Sequence, residues 1–81
     1  MTTADLLAAI GRAKNRNEAA RAYKMGLVQQ RADDGRAWYE GKPFARIDWP
    51  AVNAAILERW TMSGLKAIKT WAWKMDRMVG E

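Results

Sequence analysis

The C-terminal stretch repeats an apolar side chain every three or four residues, and this repeat constrains the fold more than any other feature of the chain. On a helix, which turns by about 100° per residue, such a repeat lies on a single face. We therefore predict a helix over residues 64–79, with Ser63 as its N-cap and Gly80 at its end. The stripe that would face the core consists of Leu65, Ile68, Ala72, Met75 and Val79.

Two further helices are predicted in the N-terminal half. Thr2 or Thr3 is a candidate N-cap for the first, and Asp5 then falls in the first turn, where the helix dipole favours a negative charge. Asn17 is the candidate N-cap of the second helix, which we expect to fade at the turn-forming residues 33–35. The apolar positions at helical spacing in these two helices are Leu6, Leu7, Ile10, Ala20, Tyr23 and Leu27.

Asp48 begins another helix with clear sequence signals. It is a good N-cap, and Pro50 suits the first turn because its missing N–H has no partner there in any case. Residues 61–63 should end this helix and form a tight turn. The apolar residues that recur along one of its faces are Trp49, Val52, Ile56 and Trp60.

The segment 36–47 has two interpretations. Its aromatic and branched residues suit strands, and residues 40–43 suit the tip of a hairpin. Alternatively, residues 36–40 form one more helical turn and 41–47 an ordered loop that its aromatic residues hold in place. We favour the helical turn and loop, because a single hairpin is only marginally stable.

These elements add up to one all-α domain that spans residues 1–81 and contains about four helices. A chain of 81 residues can bury only a small core. Its five tryptophans are therefore expected to supply much of the apolar area.

Histidine and cysteine are both absent from the chain. The usual general base, the usual metal ligands and thiol chemistry are therefore missing. Ser63, the only serine, has no histidine to activate it, and the sequence contains no glycine-rich phosphate loop. We expect a protein that is not an enzyme, with no metal site and no cofactor.

The formal net charge is +5. A small basic domain favours an anionic partner, which is nucleic acid (DNA above RNA) or an acidic protein surface; charge that serves solubility alone is the alternative. Asp5 stands where a secretion signal would be basic, and no stretch reaches the ~20 apolar residues of a membrane span. We therefore expect a soluble cytoplasmic protein with no membrane partner.

Trp71 and Trp73 lie two residues apart on the predicted last helix, so one face cannot bury both. Trp71 is about 75° from the middle of the apolar stripe and should pack partly inward, whereas Trp73 is about 125° away. An exposed indole among cations suits nucleic acid, since aromatic rings stack on bases and cations neutralise phosphates. Packing of Trp73 against another part of the domain is the alternative. The predicted binding face consists of Lys66, Lys69, Thr70, Trp73, Lys74 and Arg77.

The last two predicted helices and their turn resemble a helix-turn-helix, in which the second helix enters the DNA major groove. Thr61 stands where that motif usually has glycine, so an ordinary helical hairpin is the alternative. The resemblance implies that Lys66, Lys69 and Thr70 meet the groove first. It also implies contacts to the DNA backbone from Arg59, Lys74 and Arg77.

A second basic stretch lies in residues 12–24, where Glu18 is the only acid. If this stretch folds beside the last helix, the two form one continuous basic surface; a solvated helix face is the alternative. Its cations are Arg12, Lys14, Arg16, Arg21 and Lys24.

The sequence thus favours a small DNA-binding protein with a regulatory or accessory role. A different class also fits its size and its many aromatic residues: a non-catalytic inhibitor or adaptor, such as a phage or mobile-element protein that blocks a host nucleic-acid enzyme. A third interpretation is a homo-oligomer whose interface contains Trp73, Met78 and part of 36–47.

Overall fold

The residues that the structure describes form four α-helices, and the fold is all-α as predicted. The computed structural model describes residues 1–41 and 46–80, with the last three of these described by their backbone only. The helices are α1 (Thr3–Arg12), α2 (Arg16–Glu40), α3 (Trp49–Arg59) and α4 (Met62–Gly80). Residues 1–41 and 46–80 contain no strand.

Helix α1 begins with a reciprocal cap. The Asp5 backbone N–H donates to the Thr2 hydroxyl at 3.2 Å, and the Thr2 backbone N–H donates to the Asp5 carboxylate at 2.9 Å. These hydrogen bonds lower the pKa of Asp5, and the bond from the Thr2 backbone N–H has the largest effect. Leu6 and Ile10 are fully buried, so α1 packs through the face that the sequence predicted.

Helix α2 differs from the prediction at both ends. It begins two residues earlier than expected, because Asn15 rather than Asn17 accepts from the Glu18 backbone N–H, at 3.0 Å. The expected end at 33–35 is wrong, since the helix is 25 residues long and ends at Glu40. Gln29 and Gln30 explain this, because their amides donate to Asp33 and Asp34 one turn later and so make those acids helix partners.

Gly41 ends α2 in the left-handed conformation, with φ of 65°, which glycine adopts without steric cost. Residues 36–40 are therefore helical, as the favoured interpretation held, although they continue α2 rather than form a separate turn. The proposed hairpin tip and Phe44 fall largely in 42–45, outside the described residues. Trp38 and Tyr39 are exposed and do not hold a loop in place.

Helix α3 is joined to the rest of the domain just before its first turn. Asp48 caps it through the Ala51 backbone N–H at 3.2 Å, and Pro50 lies in the first turn as predicted. The backbone N–H of buried Ile47 donates to the Gln30 side chain at 2.9 Å. The Asp48 N–H donates to the Thr3 hydroxyl at 3.0 Å, so this segment is bonded to both α2 and α1.

Helices α3 and α4 form the predicted pair, but they are joined by two residues rather than three. The expected cap at Ser63 is wrong: the Thr61 hydroxyl accepts from the Gly64 N–H at 3.3 Å, and Ser63 lies exposed in the first turn of α4. Either hydroxyl can cap a helix. Because Thr61 rather than Ser63 accepts this bond, α4 begins at Met62, two residues earlier than predicted.

Helix α4 packs most extensively against α2, and the two run side by side in the same direction. Arg16, at the start of α2, lies beside Gly64 at the start of α4, and Arg31 forms an ion pair with buried Asp76 further along both helices. The predicted apolar stripe of α4 is confirmed for its described side chains. The side chain of Val79 is not among the described ones. Leu65, Ile68 and Ala72 are buried and Met75 is partly buried.

At Gly26, side chains of α1 and α3 pack closely against the backbone of α2. A β-carbon at this position would lie 2.8 Å from Leu6 Cδ2 and 3.1 Å from Trp49 Cη2. Both distances are shorter than ordinary van der Waals contact, and buried Leu6 has little freedom to move. The glycine therefore lets α1 and the start of α3 lie directly against α2.

We predict that Gly26→Ala lowers the free energy of unfolding by about 1–3 kcal/mol, because the added methyl group overpacks the core. Gly35→Ala, in the same helix with no neighbouring atom within 4 Å, is the control. It should instead stabilise the protein by about 0.5–1 kcal/mol through helix propensity. Urea unfolding followed by circular dichroism measures both, and equal effects would contradict the close packing at Gly26.

Candidate functional site

The outward side of α4 carries a continuous polar and aromatic surface, which we call the outer face. Because α4 buries its apolar stripe, the residues on the opposite side project into solvent. They line one shallow depression of about 510 Å³. The lining residues are the six predicted from the sequence: Lys66, Lys69, Thr70, Trp73, Lys74 and Arg77.

The outer face carries four cationic side chains and, among its described lining residues, no carboxylate. Between residues 62 and 77 the sequence contains a single acid, Asp76. Its side chain is only 10% exposed and pairs with Arg31 of α2 on the inner side of the helix. Asp76 therefore lies on the side of α4 opposite the outer face. No other acid within residues 62–77 can neutralise the cations of that face.

Trp73 is the aromatic element of the outer face and is 51% exposed. Trp71 has the same exposure, which agrees with the partial inward packing predicted for it. The two indoles project from nearly opposite sides of α4, about 160° apart. Trp73 belongs to the outer face, whereas Trp71 borders the groove between α4 and α2.

The start of the second basic stretch folds beside α4. Arg16 and Asn17 line a small cavity together with Trp71 of α4. The remaining cations of this stretch are more dispersed: Arg12 ends α1, Lys14 lies in the turn before α2, and Arg21 and Lys24 lie on α2. The structure thus brings Arg16 to α4.

Arg59 has a structural role that the sequence did not indicate. Its guanidinium donates to the backbone carbonyls of Ile10 at 2.6 Å and Gly11 at 3.3 Å. It also lies 4.4 Å from the ring centre of Trp60, within the range of a cation–π contact. Arg59 therefore connects the end of α3 to the C-terminus of α1, where a positive charge also suits the helix dipole.

The sequence did not indicate one exposed aromatic surface of the protein. Trp38 and Tyr39, near the end of α2, are 81% and 85% exposed, and their rings meet edge to face at 5.4 Å. The predicted end of α2 at 33–35 hid this pair, because it placed both rings either in a separate helical turn at 36–40 that helps to hold a loop in place or in a strand. Gln29 and Gln30 stand four residues before Asp33 and Asp34, a spacing at which side chains form hydrogen bonds on a helix. This spacing is the sequence signal that predicts a helix through residues 33–34.

Among residues 1–41 and 46–80, no three acidic side chains converge as a metal site requires. None of the helices in this described part has the length and apolar character needed to cross a bilayer. Comparison with protein-family models, curated proteins and solved structures gives no match. The fold and the site define a small helical protein with a cationic, aromatic helix face, and its function is inferred from that face.

We predict that Arg59→Ala lowers the free energy of unfolding by about 1 kcal/mol, because the carbonyls at the end of α1 lose a charged donor. Lys74→Ala is the control, since Lys74 is exposed on the outer face and its loss should change stability by less than about 0.5 kcal/mol. Urea unfolding of both variants is the measurement. An Arg59→Ala protein as stable as the control would contradict the connecting role.

Proposed function

We propose that this protein binds nucleic acid, with DNA preferred, through the outer face of α4, and acts as a regulatory or accessory factor. The observation that supports this most is the convergence of four cations and a half-exposed tryptophan on one depression. Cations attract the phosphate backbone and an aromatic ring contacts bases, so the combination suits a polymer that carries both.

The arrangement around α4 suits a helix placed in the major groove. Lys69 and Lys74 lie on opposite flanks of the outer face, about 140° apart around the helix axis. Lys66 and Arg77 lie between them, near the centre of the face. A helix with its side chains is about 10–12 Å across and the major groove is ~12 Å wide. The flanking lysines would then reach phosphates on the two strands while the central residues face the bases.

Reversing charges on the outer face tests this proposal. Lys66→Glu with Lys69→Glu should abolish duplex DNA binding in fluorescence anisotropy, because two attractive contacts become repulsive. Both lysines are on the solvent side of α4, so helicity by circular dichroism should not change. Unchanged affinity would rule out this face as the site.

A matched control separates local from overall charge. Each Lys→Glu or Arg→Glu change removes two positive units, so a double variant carries +1 instead of +5. Arg36→Glu with Arg46→Glu makes the same change in net charge at two residues that do not line the outer face. The proposal requires this control to retain most of the affinity; equal losses would show that net charge alone governs binding.

The salt dependence of binding gives a quantitative test. Neutralisation of two phosphates by the flanking Lys69 and Lys74 should give a log–log slope of about −1.8 for duplex DNA. Lys69→Ala and Lys74→Ala should each reduce the slope by about one unit, whereas Lys66→Ala, at a position that faces the bases, should leave it nearly unchanged. Anisotropy titrations over a series of salt concentrations measure these slopes, and a salt-independent affinity would contradict phosphate contacts.

A protein–protein function remains the second candidate, and the exposed Trp38–Tyr39 pair favours it. Monomer surfaces rarely leave two large aromatic rings this accessible, and Trp and Tyr often supply most of the binding energy at interfaces. The protein would then be an inhibitor or adaptor that uses these rings as anchors. Its partner would present an acidic or DNA-reading surface to the basic side of the molecule.

We predict that Trp38→Ser with Tyr39→Ser weakens such a protein contact by at least about tenfold while DNA affinity stays unchanged. Native cross-linking with mass spectrometry, run on the wild type, this variant and the Lys66→Glu/Lys69→Glu variant, identifies any contact that depends on the aromatic pair. Sedimentation of the same proteins distinguishes a foreign partner from a second copy of this chain. Identical cross-links for all three proteins would exclude the pair as an interface.

A further inference from the structure

A second cavity, which we call the notch, lies in the groove between α2 and α4. Its volume is about 150 Å³, smaller than the ~300–1,000 Å³ typical of pockets for whole small molecules. A site of this size suits one ring-sized group that belongs to a larger ligand. The notch is lined by Arg16, Asn17, Ala20, Ala67, Ile68 and Trp71.

The notch combines an apolar interior with a polar rim. Ala20 and Ile68 are buried and supply a small, methyl-lined floor. Trp71, half of whose surface is exposed, supplies a flat aromatic wall. Arg16 and Asn17 are exposed and place a guanidinium and an amide at the opening. The interior therefore favours a flat ring, while the rim favours a group with hydrogen-bonding edges and a negative charge nearby.

The notch also adjoins the outer face. Trp71 and Lys74 are three residues apart on α4, which places them about 60° apart around the helix. Lys74 lines the outer face and Trp71 lines the notch. A polymer that crosses the outer face on the Lys74 side would therefore pass the opening of the notch.

We propose that the notch holds one unpaired nucleobase of the nucleic acid that the outer face binds. The inference rests on the proposed function and extends it from backbone contact to recognition of an unpaired base. The base would stack on Trp71, the Asn17 amide would bond its exposed edge, and Arg16 would neutralise the neighbouring phosphate. Charge complementarity supports this occupant, because the described lining contains a cation and no carboxylate.

A preference for DNA with an unpaired base follows from this arrangement. Base pairing keeps bases stacked within a duplex, so only an unpaired or extruded base can enter the notch. Stacking on an aromatic side chain strengthens binding by about 5- to 150-fold per base. The protein should therefore bind a duplex with one bulged thymine more tightly than the fully paired duplex by a factor in this range.

The experiment compares three labelled duplexes of one sequence by anisotropy: fully paired, with one bulged thymine, and with one bulged abasic nucleotide. The abasic duplex has the same bend and backbone without the base. We expect tighter binding for the bulged thymine only, and equal affinity for the other two. Replacing the bulged thymine with 2-aminopurine adds a direct readout, since its fluorescence should be quenched when it stacks on Trp71.

Variants locate the effect. Trp71→Ala should remove the preference for the bulged thymine and leave affinity for the paired duplex unchanged, whereas Trp73→Ala should weaken binding to all three duplexes about equally. Ala67→Met keeps both tryptophans and every charge but fills the notch, and it should also remove the preference. Circular dichroism confirms that each variant is folded, and Ala67→Met serves as the test if Trp71→Ala is not.

The outcomes separate the two proposals. Equal affinity of the wild type for all three duplexes would overturn the notch as a base site and leave the outer-face proposal standing. A preference for the thymine bulge that persists in both Trp71→Ala and Ala67→Met would also overturn it. Absence of binding to every duplex at low salt would overturn the proposed function itself, and the inference with it.

Discussion

The packing of α4 against α2 is the contact on which the other surfaces of this protein depend. Burial of Leu65, Ile68 and Ala72 fixes the rotation of α4 about its own axis. Once that rotation is fixed, the residues on the opposite side have no neighbour to cover them. The outer face, the position of the two tryptophans and the notch beside Trp71 are all consequences of this one interface.

The distribution of carboxylates makes the outer face basic. Six of the nine acids are engaged in contacts that stabilise the fold, and none of these six lines the outer face. Asp5 and Asp48 cap helices, and Asp76 pairs with Arg31. The other three are Glu18, Asp33 and Asp34, which accept from Lys14, Gln29 and Gln30. The outer face of α4 therefore carries four of the cations without an acid among its described lining residues.

The four helices and the residues of the outer face could be predicted from the sequence, because both depend on the local periodicity of apolar residues. The stripe of α4 and the cap at Asp48 needed no knowledge of distant residues. The end of α2 was wrong because turn propensity at 33–35 competes with side-chain bonds from Gln29 and Gln30, and the bonds prevailed. The ion pair of Asp76 with Arg31 and the link from Arg59 to α1 join residues far apart in the chain, so no local pattern could indicate them.

The two candidate surfaces are compatible within one molecule. The outer face belongs to α4, whereas Trp38 and Tyr39 lie near the end of α2 and use none of its residues. A protein that contacts DNA with one and a protein partner with the other needs no change in fold. In our proposal, the nucleic-acid contact and the protein contact would therefore be carried by different helices and could be lost separately.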